Sequence, residues 1–139
     1  MSFVLDSSVA LTWCFEDERT PTADALLERV TDSGAIAPML WPLEVLNGLI
    51  IAERRGRLDA QRRQRMTSLL QALPVTIDSE TVRNAWRLTS HLAERFRLTV
   101  YDATYLELAQ RMNLPLATLD QELRTAGMTL GVPLLGLSQ

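Results

Sequence analysis

Four carboxylic acids lie directly after or within apolar segments of the chain. They are Asp6, Glu44, Asp102 and Asp120, called here the acidic quartet. Aspartate and glutamate are rarely fully buried unless they are paired or bind a metal. Acids with apolar neighbours, spread over the whole chain, therefore indicate a single site that the fold assembles. Three of the four follow strand-like runs, and open α/β sheets form their sites at the ends of strands.

Three of these acids also have a structural explanation. Asp6 and Asp102 could each be the N-cap of the helix that follows, because aspartate is a favoured N-cap residue. Asp120 could lie in the first turn of a helix capped by Thr118 and Gln121, where the helix dipole favours a negative charge. Either interpretation is open for each residue, and only the conjunction of four acids favours a common site.

Glu44 is the acid that composition explains least well. It lies inside a predicted helix and away from its capping positions, within the apolar run that begins at Trp41. Asn47 and Gly48 follow at the i+3 and i+4 positions, so they share its face of the helix. This face combines a carboxylate, an amide and a gap that permits close approach. The alternative is an ordinary surface acid that faces water.

Short apolar runs alternate with amphipathic segments along the chain. This pattern predicts an α/β fold with a parallel sheet of four or five strands that is covered by helices on both faces. The predicted strands are Phe3–Asp6, Ala35–Ala37, Val75–Ile77, Leu116–Thr118 and Val132–Leu135. The predicted helices are Ser8–Glu16, Pro21–Asp32, Pro42–Arg55, one capped by Asp59 that ends near Leu73, one from Asp78 or Ser79 to Phe96, Tyr101–Met112 and Asp120–Ala126.

The composition predicts one folded domain over residues 1–139, since 47% of the residues are hydrophobic and 22% are charged. One cysteine permits no internal disulfide, and no signal peptide or membrane span is recognisable. Both observations predict a cytoplasmic protein. The net charge of −3 argues against a nucleic-acid partner. That argument weakens if a metal neutralises some of the acids.

All fourteen basic residues are arginines, so lysine chemistry such as a P-loop or a Schiff base is excluded. Six of them form a cluster that could bind phosphates or could simply face water at a helix–turn–helix. His91 and Cys14 have no nearby residues in the sequence that could complete a catalytic or zinc site with them. Glu107 is expected to be exposed to solvent. The clustered residues are Arg54, Arg55, Arg57, Arg62, Arg63 and Arg65.

The segments around the quartet resemble the four acidic blocks of PIN-domain ribonucleases, and in particular the VapC-type toxins of bacterial toxin–antitoxin pairs. The similar segments are Val4–Val9, Glu44–Leu49, Tyr101–Leu106 and Ala117–Asp120. Their order and spacing, together with the Tyr-Asp-Ala-x-Tyr motif, carry the resemblance, which extends from residue 3 to about residue 135.

The resemblance implies a three-layer α/β/α sandwich in which the acidic quartet is catalytic and binds Mg²⁺ or Mn²⁺. It also implies supporting roles near the site for Ser8, Asn47 and Thr118. Carboxylate oxygens suit such hard ions, and a metal-activated water could then hydrolyse RNA without a side-chain nucleophile. The arginine cluster would have to supply the contacts to RNA.

The expected function is therefore a metal-dependent endoribonuclease that is neutralised by a small antitoxin and forms a homodimer. An apolar groove is expected to hold the antitoxin. The alternatives are a PIN-like domain that binds RNA or protein without catalysis, and a different α/β hydrolase or phosphotransfer receiver. The residues expected to form the groove are Trp13, Phe15, Trp41, Leu43, Leu46 and Ile50.

Overall fold

Five short strands form one parallel sheet in the structure, a computed structural model that describes residues 2–137. The strand order is β3-β2-β1-β4-β5, and every pairing is parallel. The predicted parallel sheet is therefore confirmed, with five strands. They are β1 (Val4–Leu5), β2 (Ala35–Ala37), β3 (Val75–Ile77), β4 (Leu116–Ala117) and β5 (Leu134–Leu135).

Within residues 2–137, seven α-helices connect and cover these strands. Because crossovers between parallel strands are right-handed, the reversal of strand order at β1 places the helices of the two halves on opposite faces. No helix within residues 2–137 combines the length and the apolar character needed to cross a membrane. The helices are α1 (Ser7–Thr12), α2 (Pro21–Ser33), α3 (Trp41–Arg54), α4 (Ala60–Ala72), α5 (Ser90–Phe96), α6 (Val100–Met112) and α7 (Gln121–Thr129).

The centre of the sheet is the centre of the core. Val4 and Leu5 of β1 are completely buried, as are Leu116 and Ala117 of β4. Helices α1 and α3 pack against each other beside this pair of strands. Gly48 permits their close approach, because a Cβ atom there would lie only 2.7 Å from a methyl carbon of Leu11. The gap that was expected beside Glu44 is thus filled by α1.

The predicted continuous helix from residue 78 or 79 to Phe96 is wrong. Residues 79–84 form turns, Ala85–Thr89 form a π-helical segment, and only Ser90–Phe96 are α-helical. The amide of Thr89 donates to the carbonyl of Asn84, five residues back, which defines the wider turn. The hydroxyl of Thr81 fixes the start of the segment, since it accepts from the amide of Met39 and donates to Asp78.

A buried ion-pair cluster joins the end of β3 to α6. Arg111 donates to both oxygens of Asp78, at 3.1 and 2.6 Å, and to both oxygens of Glu107, at 2.6 and 3.1 Å. Glu107 is only 1% exposed and Asp78 only 6% exposed. The expectation that Glu107 faces water is therefore wrong, because an arginine one helical turn away compensates its charge inside the protein.

Candidate active site

Two members of the acidic quartet lie where the strand order changes direction, between β1 and β4. Asp6 directly follows β1, and Asp120 comes three residues after β4, just before α7. Asp120 is the N-cap of α7, and its side chain accepts from the amide of Leu123 at 2.9 Å. The predicted capping box with Thr118 and Gln121 is wrong, since Asp120 itself caps the helix.

The other two members are carried by helices. Glu44 lies in the first turn of α3, which begins at Trp41, one residue before the predicted start at Pro42, and Asp102 lies in the first turn of α6. The N-cap of α6 is Thr99, whose hydroxyl accepts from the amide of Asp102 at 3.1 Å. The capping explanation for Asp102 is therefore wrong, and its carboxylate is left for another role.

Asp6 is 4% exposed and is held by two hydroxyl groups. Its Oδ2 accepts from Ser8 at 2.6 Å and from Thr118 at 2.7 Å. Ser8 also accepts from the amide of Leu119, and Thr118 from the amide of Asp120. These bonds tie the ends of β1 and β4 together and orient the carboxylate. Asp6 occupies the N-cap position of α1, but its side chain does not cap the helix.

Glu44 has two neighbours beyond those that were predicted. The phenolic hydroxyl of Tyr105 donates to Oε1 of Glu44. The side chain of Ser7 lies near both groups and opposes the rise in their pKa values. Tyr105 is completely buried. Each had a signal in the sequence, because Tyr105 is one helical turn after Asp102 and Ser7 is adjacent to Asp6.

The quartet is one electrostatic unit. Burial, and then the charge of Asp120, raise the pKa of Asp6. Burial, followed by the charges of Asp6 and Asp102, raises the pKa of Glu44. The pKa of Asp102 is raised by burial and then by the charges of Asp120 and Asp6. Like charges shift pKa values in this way when they are near each other, so the charges of Asp6, Asp102 and Asp120 act on the other members of the quartet.

No arginine neutralises this negative charge. Within residues 2–137, none of the four carboxylates takes part in an ion pair. Residues 2–137 also contain no group of three or more histidine, cysteine, aspartate or glutamate side chains that is already arranged to hold a metal. The oxygen-only donor set fits Mg²⁺ or Mn²⁺ chemically, and binding would require the carboxylates to draw together around the ion.

Asn47 is exposed on α3, one turn after Glu44, so it lies on the face of the helix that was expected.

The arginine cluster is divided into two kinds of residue. Arg57 pairs with Asp17 and Glu18 and stacks 4.1 Å over the ring of Phe15, and Arg63 pairs with Glu53. The side chains of Arg54, Arg55 and Arg65 are exposed, and Arg62 is half-buried.

An apolar groove of about 390 Å³ lies between α3, α4 and the neighbouring sheet edge. Two of the residues expected to form a groove line this one, namely Leu46, which is 37% exposed, and Trp41, which is buried. Trp13 and Phe15 are instead buried in the core away from it, and neither the exposed Leu43 nor Ile50 lines it. The indole of Trp13 donates to the carbonyl of Ala23. The residues that line this α3–α4 groove are Trp41, Pro42, Val45, Leu46, Leu49, Thr67, Leu70, Gln71, Leu73, Val75 and Ile77.

Comparison with known proteins agrees with this architecture. The PIN domain family matches residues 3–127. Ribonuclease VapC3 of Pyrobaculum aerophilum is 30% identical over 127 residues, which cover 88% of this chain and 92% of that protein.

Two solved structures are similar to the fold. The first is that of PAE2754 from Pyrobaculum aerophilum, with a TM-score of 0.70 and 22% identity, covering 96% of this chain and 83% of that one. The second is a toxin–antitoxin complex from Klebsiella pneumoniae, with a TM-score of 0.60 and 19% identity, covering 86% of this chain and 87% of the other.

Proposed function

Because the chain belongs to the PIN domain family, we propose that it is a metal-dependent endoribonuclease and the toxin of a toxin–antitoxin pair. The observation that carries the proposal is the acidic quartet. Asp6 and Asp120 lie at the strand switch point, Glu44 and Asp102 are carried by α3 and α6, and no ion pair within residues 2–137 balances their charges. The relative named a ribonuclease supports the choice of RNA as substrate.

The quartet residues would hold Mg²⁺ or Mn²⁺. A bound divalent ion would supply a nucleophilic water and neutralise the charge that develops on the phosphate. The side chains around it have distinct tasks. Ser8 and Thr118 keep the carboxylate of Asp6 in one orientation, and burial of Asp6 keeps bulk water away from that side of the site.

Removal of one acid should abolish cleavage. We expect Asp6→Asn and Asp102→Asn to remain folded but inactive, because each amide keeps the shape of the side chain and loses its negative charge. Excess EDTA should have the same effect on the wild-type protein. The products should carry 5′-phosphate and 3′-hydroxyl ends, since water and not the ribose 2′-hydroxyl attacks phosphorus.

The outcomes separate this function from its alternatives. Products with 2′,3′-cyclic phosphate ends, or full activity after metal removal, would contradict the mechanism. RNA binding without any cleavage at any metal concentration would favour the non-catalytic PIN-like domain. Sequencing of RNA 5′ ends after a short pulse of expression identifies the substrate and the cleavage position in one experiment.

The α3–α4 groove is the proposed antitoxin site. A small antitoxin would place an amphipathic helix in it, because its lining is mostly apolar and Leu46 is partly exposed there. An arginine of the antitoxin could then reach the uncompensated quartet and exclude the metal. The toxin–antitoxin complex among the similar structures supports this kind of partner.

Two leucines of α3 provide a matched test of the groove. Leu46→Ala should weaken binding of a separately encoded neighbouring protein, whereas Leu43→Ala should not, because Leu43 is 71% exposed and does not line the groove. Trp13→Ala is unsuitable, since Trp13 is a core residue. Equal binding by wild type and Leu46→Ala would place the interface elsewhere.

A homodimer is also proposed, through a second apolar surface. Val82, Trp86 and Leu88 of the π-helical region and Val100 of α6 are 62%, 90%, 53% and 51% exposed. The π-helical segment and α6 contact each other. Large apolar side chains exposed on adjoining elements are typical of a surface that is covered by a partner.

A further inference from the structure

The hydrogen bond between Tyr105 and Glu44 joins two elements that are far apart in the sequence. Glu44 belongs to the first turn of α3 and Tyr105 to the second turn of α6, 61 positions later. Asp102 is on the same helix as Tyr105, one turn earlier. The phenol therefore sets the position of the Glu44 carboxylate relative to that of Asp102.

Glu44 needs such a restraint more than the other acids do. Its side chain has one more rotatable bond than an aspartate, and its carboxylate is only half-buried. Asp6 is held by two hydroxyl groups, and Asp120 is held by its bond to the amide of Leu123. Glu44 has no backbone partner of this kind in the described structure, where the hydroxyl of Tyr105 is the side-chain group that donates to it.

Tyr105 is itself anchored in the core. Its side chain is completely buried, as are those of Ala103 and Leu106 on the same helix. A phenol attached to a rigid core can hold a carboxylate oxygen in one place, in the way that partners of metal ligands usually do. Since the hydroxyl donates to Oε1, the other oxygen of Glu44 is left without that partner.

We propose that Tyr105 is a positioning residue, which holds Oε1 of Glu44 so that Glu44 offers its second oxygen alone to the divalent ion. The inference rests on the proposed function, because it presupposes that the quartet binds a metal. The inference adds to the proposed function a residue outside the quartet, and it specifies how Glu44 would bind the ion. A purely structural role would require only that the buried hydroxyl have some acceptor.

Metal affinity distinguishes the two roles without any measurement of cleavage. Mn²⁺ binding is titrated by calorimetry on the full chain as wild type, Tyr105→Phe and Tyr101→Phe. We expect about tenfold weaker binding for Tyr105→Phe, the usual effect of removing a partner of a metal ligand. Tyr101→Phe is the matched control, because Tyr101 is on the same helix but 64% exposed, and its affinity should be unchanged.

A double-mutant cycle assigns the effect to Glu44. In a Glu44→Gln background, Tyr105→Phe should cause no further loss of Mn²⁺ affinity, because the ligand that it positions is gone. Unchanged affinity of a folded Tyr105→Phe variant would overturn the inference. Wild-type protein that binds no Mn²⁺ would instead overturn the proposed function itself, so the two failures are distinguishable.

A second measurement covers the case in which Tyr105→Phe does not fold. The chain has only two tyrosines, so a carbon-13 label on the phenol carbon gives two resonances, which Tyr101→Phe assigns. Titration of wild-type protein with Mg²⁺ should shift the Tyr105 resonance and leave that of Tyr101 in place. A Tyr105 resonance that stays fixed while Mg²⁺ binds would contradict the proposal.

Discussion

Single acidic residues in this protein meet two opposite environments. Asp78 and Glu107 are buried but share Arg111, whereas the acidic quartet has no arginine within the described chain. Burial alone would raise the pKa of Asp78, but hydrogen bonds from Arg111 and Thr81 outweigh it and lower that pKa. The pKa of Asp102 is raised. Asp78 therefore stabilises the fold at neutral pH, and Asp102 destabilises it.

The first prediction concerns Asp102→Asn in the metal-free protein. A carboxyl group whose pKa is raised by folding contributes stability at low pH, which is lost as the pH rises through that value. The variant lacks this loss, so its Tm should exceed that of wild type by roughly 1–3 °C near neutral pH and by less near pH 4. Thermal unfolding in EDTA at both pH values tests this.

The control for that prediction is Mg²⁺. A ligand that binds the native state stabilises it, and the stabilisation is larger when the ligand binds more tightly. Because Asp102→Asn lacks one of the proposed ligands, Mg²⁺ should raise the Tm of wild type more than that of the variant. A variant that is less stable than wild type at every pH would show that the charge of Asp102 does not destabilise the metal-free fold.

The second prediction concerns Arg111. Arg111→Met leaves Asp78 and Glu107 buried without a counter-charge, so it should reduce the free energy of unfolding by about 3 kcal/mol. Arg83→Met is the matched control, since Arg83 forms an ion pair with Glu80 but is 80% exposed, and it should cost less than about 0.5 kcal/mol. Urea unfolding measures both, and equal losses would mean that the buried cluster contributes no more than a surface pair.

Two elements hold a buried polar atom without a hydrogen-bond partner in the described chain, namely α3 with Nε1 of Trp41 and the π-helical segment with the hydroxyl of Thr89. The hydroxyl of Thr89 is buried and has no hydrogen-bond partner within the described chain. The third prediction is that Thr89→Val, which keeps the shape and removes the hydroxyl, increases the free energy of unfolding by about 1 kcal/mol. Thr81→Val should do the reverse, because the hydroxyl of Thr81 has three partners. Urea unfolding of both variants decides the matter.

The arginine cluster extends from the end of α3 through the following turn into the first two turns of α4. The fourth prediction is that replacing Arg54, Arg55 and Arg65 with glutamine flattens the plot of log RNA affinity against log salt by about 0.7 per lost phosphate contact. Arg57→Gln should leave the slope unchanged, because Asp17 and Glu18 already neutralise this side chain. An unchanged slope in the triple variant would mean that the cluster simply faces water.

The elements show where sequence reasoning succeeds and where it does not. The strands were predictable because each is a short apolar run bounded by breaking residues, and α4 because Asp59 caps it as expected. The π-helical segment was not, since a bond from residue 89 to residue 84 leaves no mark on the spacing of apolar residues. The same limit applies to the site. Acids among apolar residues were visible, but the bond from Tyr105 to Glu44 depends on how two helices meet.

For the whole molecule, the exposed surface around Trp86 leads to the fifth prediction. We expect light scattering to show a homodimer at tens of micromolar. Trp86→Arg should convert it to a monomer, and the circular dichroism spectrum of this variant should match that of wild type. The reason is that a charged residue in the middle of an apolar contact must be buried without a partner. A monomeric wild-type protein would contradict the dimer, and a dimeric Trp86→Arg variant would place the contact elsewhere.

The position of β1 in the middle of the sheet has a consequence for the order of events during synthesis. The ribosome releases Asp6 with the first strand, but that strand pairs with β4, which is made more than a hundred residues later. Until then Asp6 lacks the hydroxyl of Thr118, and Asp120 does not exist. A nascent chain that stops before β4 therefore holds three of the four acids but cannot complete the quartet. Translation itself delays assembly of the quartet until β4 and Asp120 have emerged.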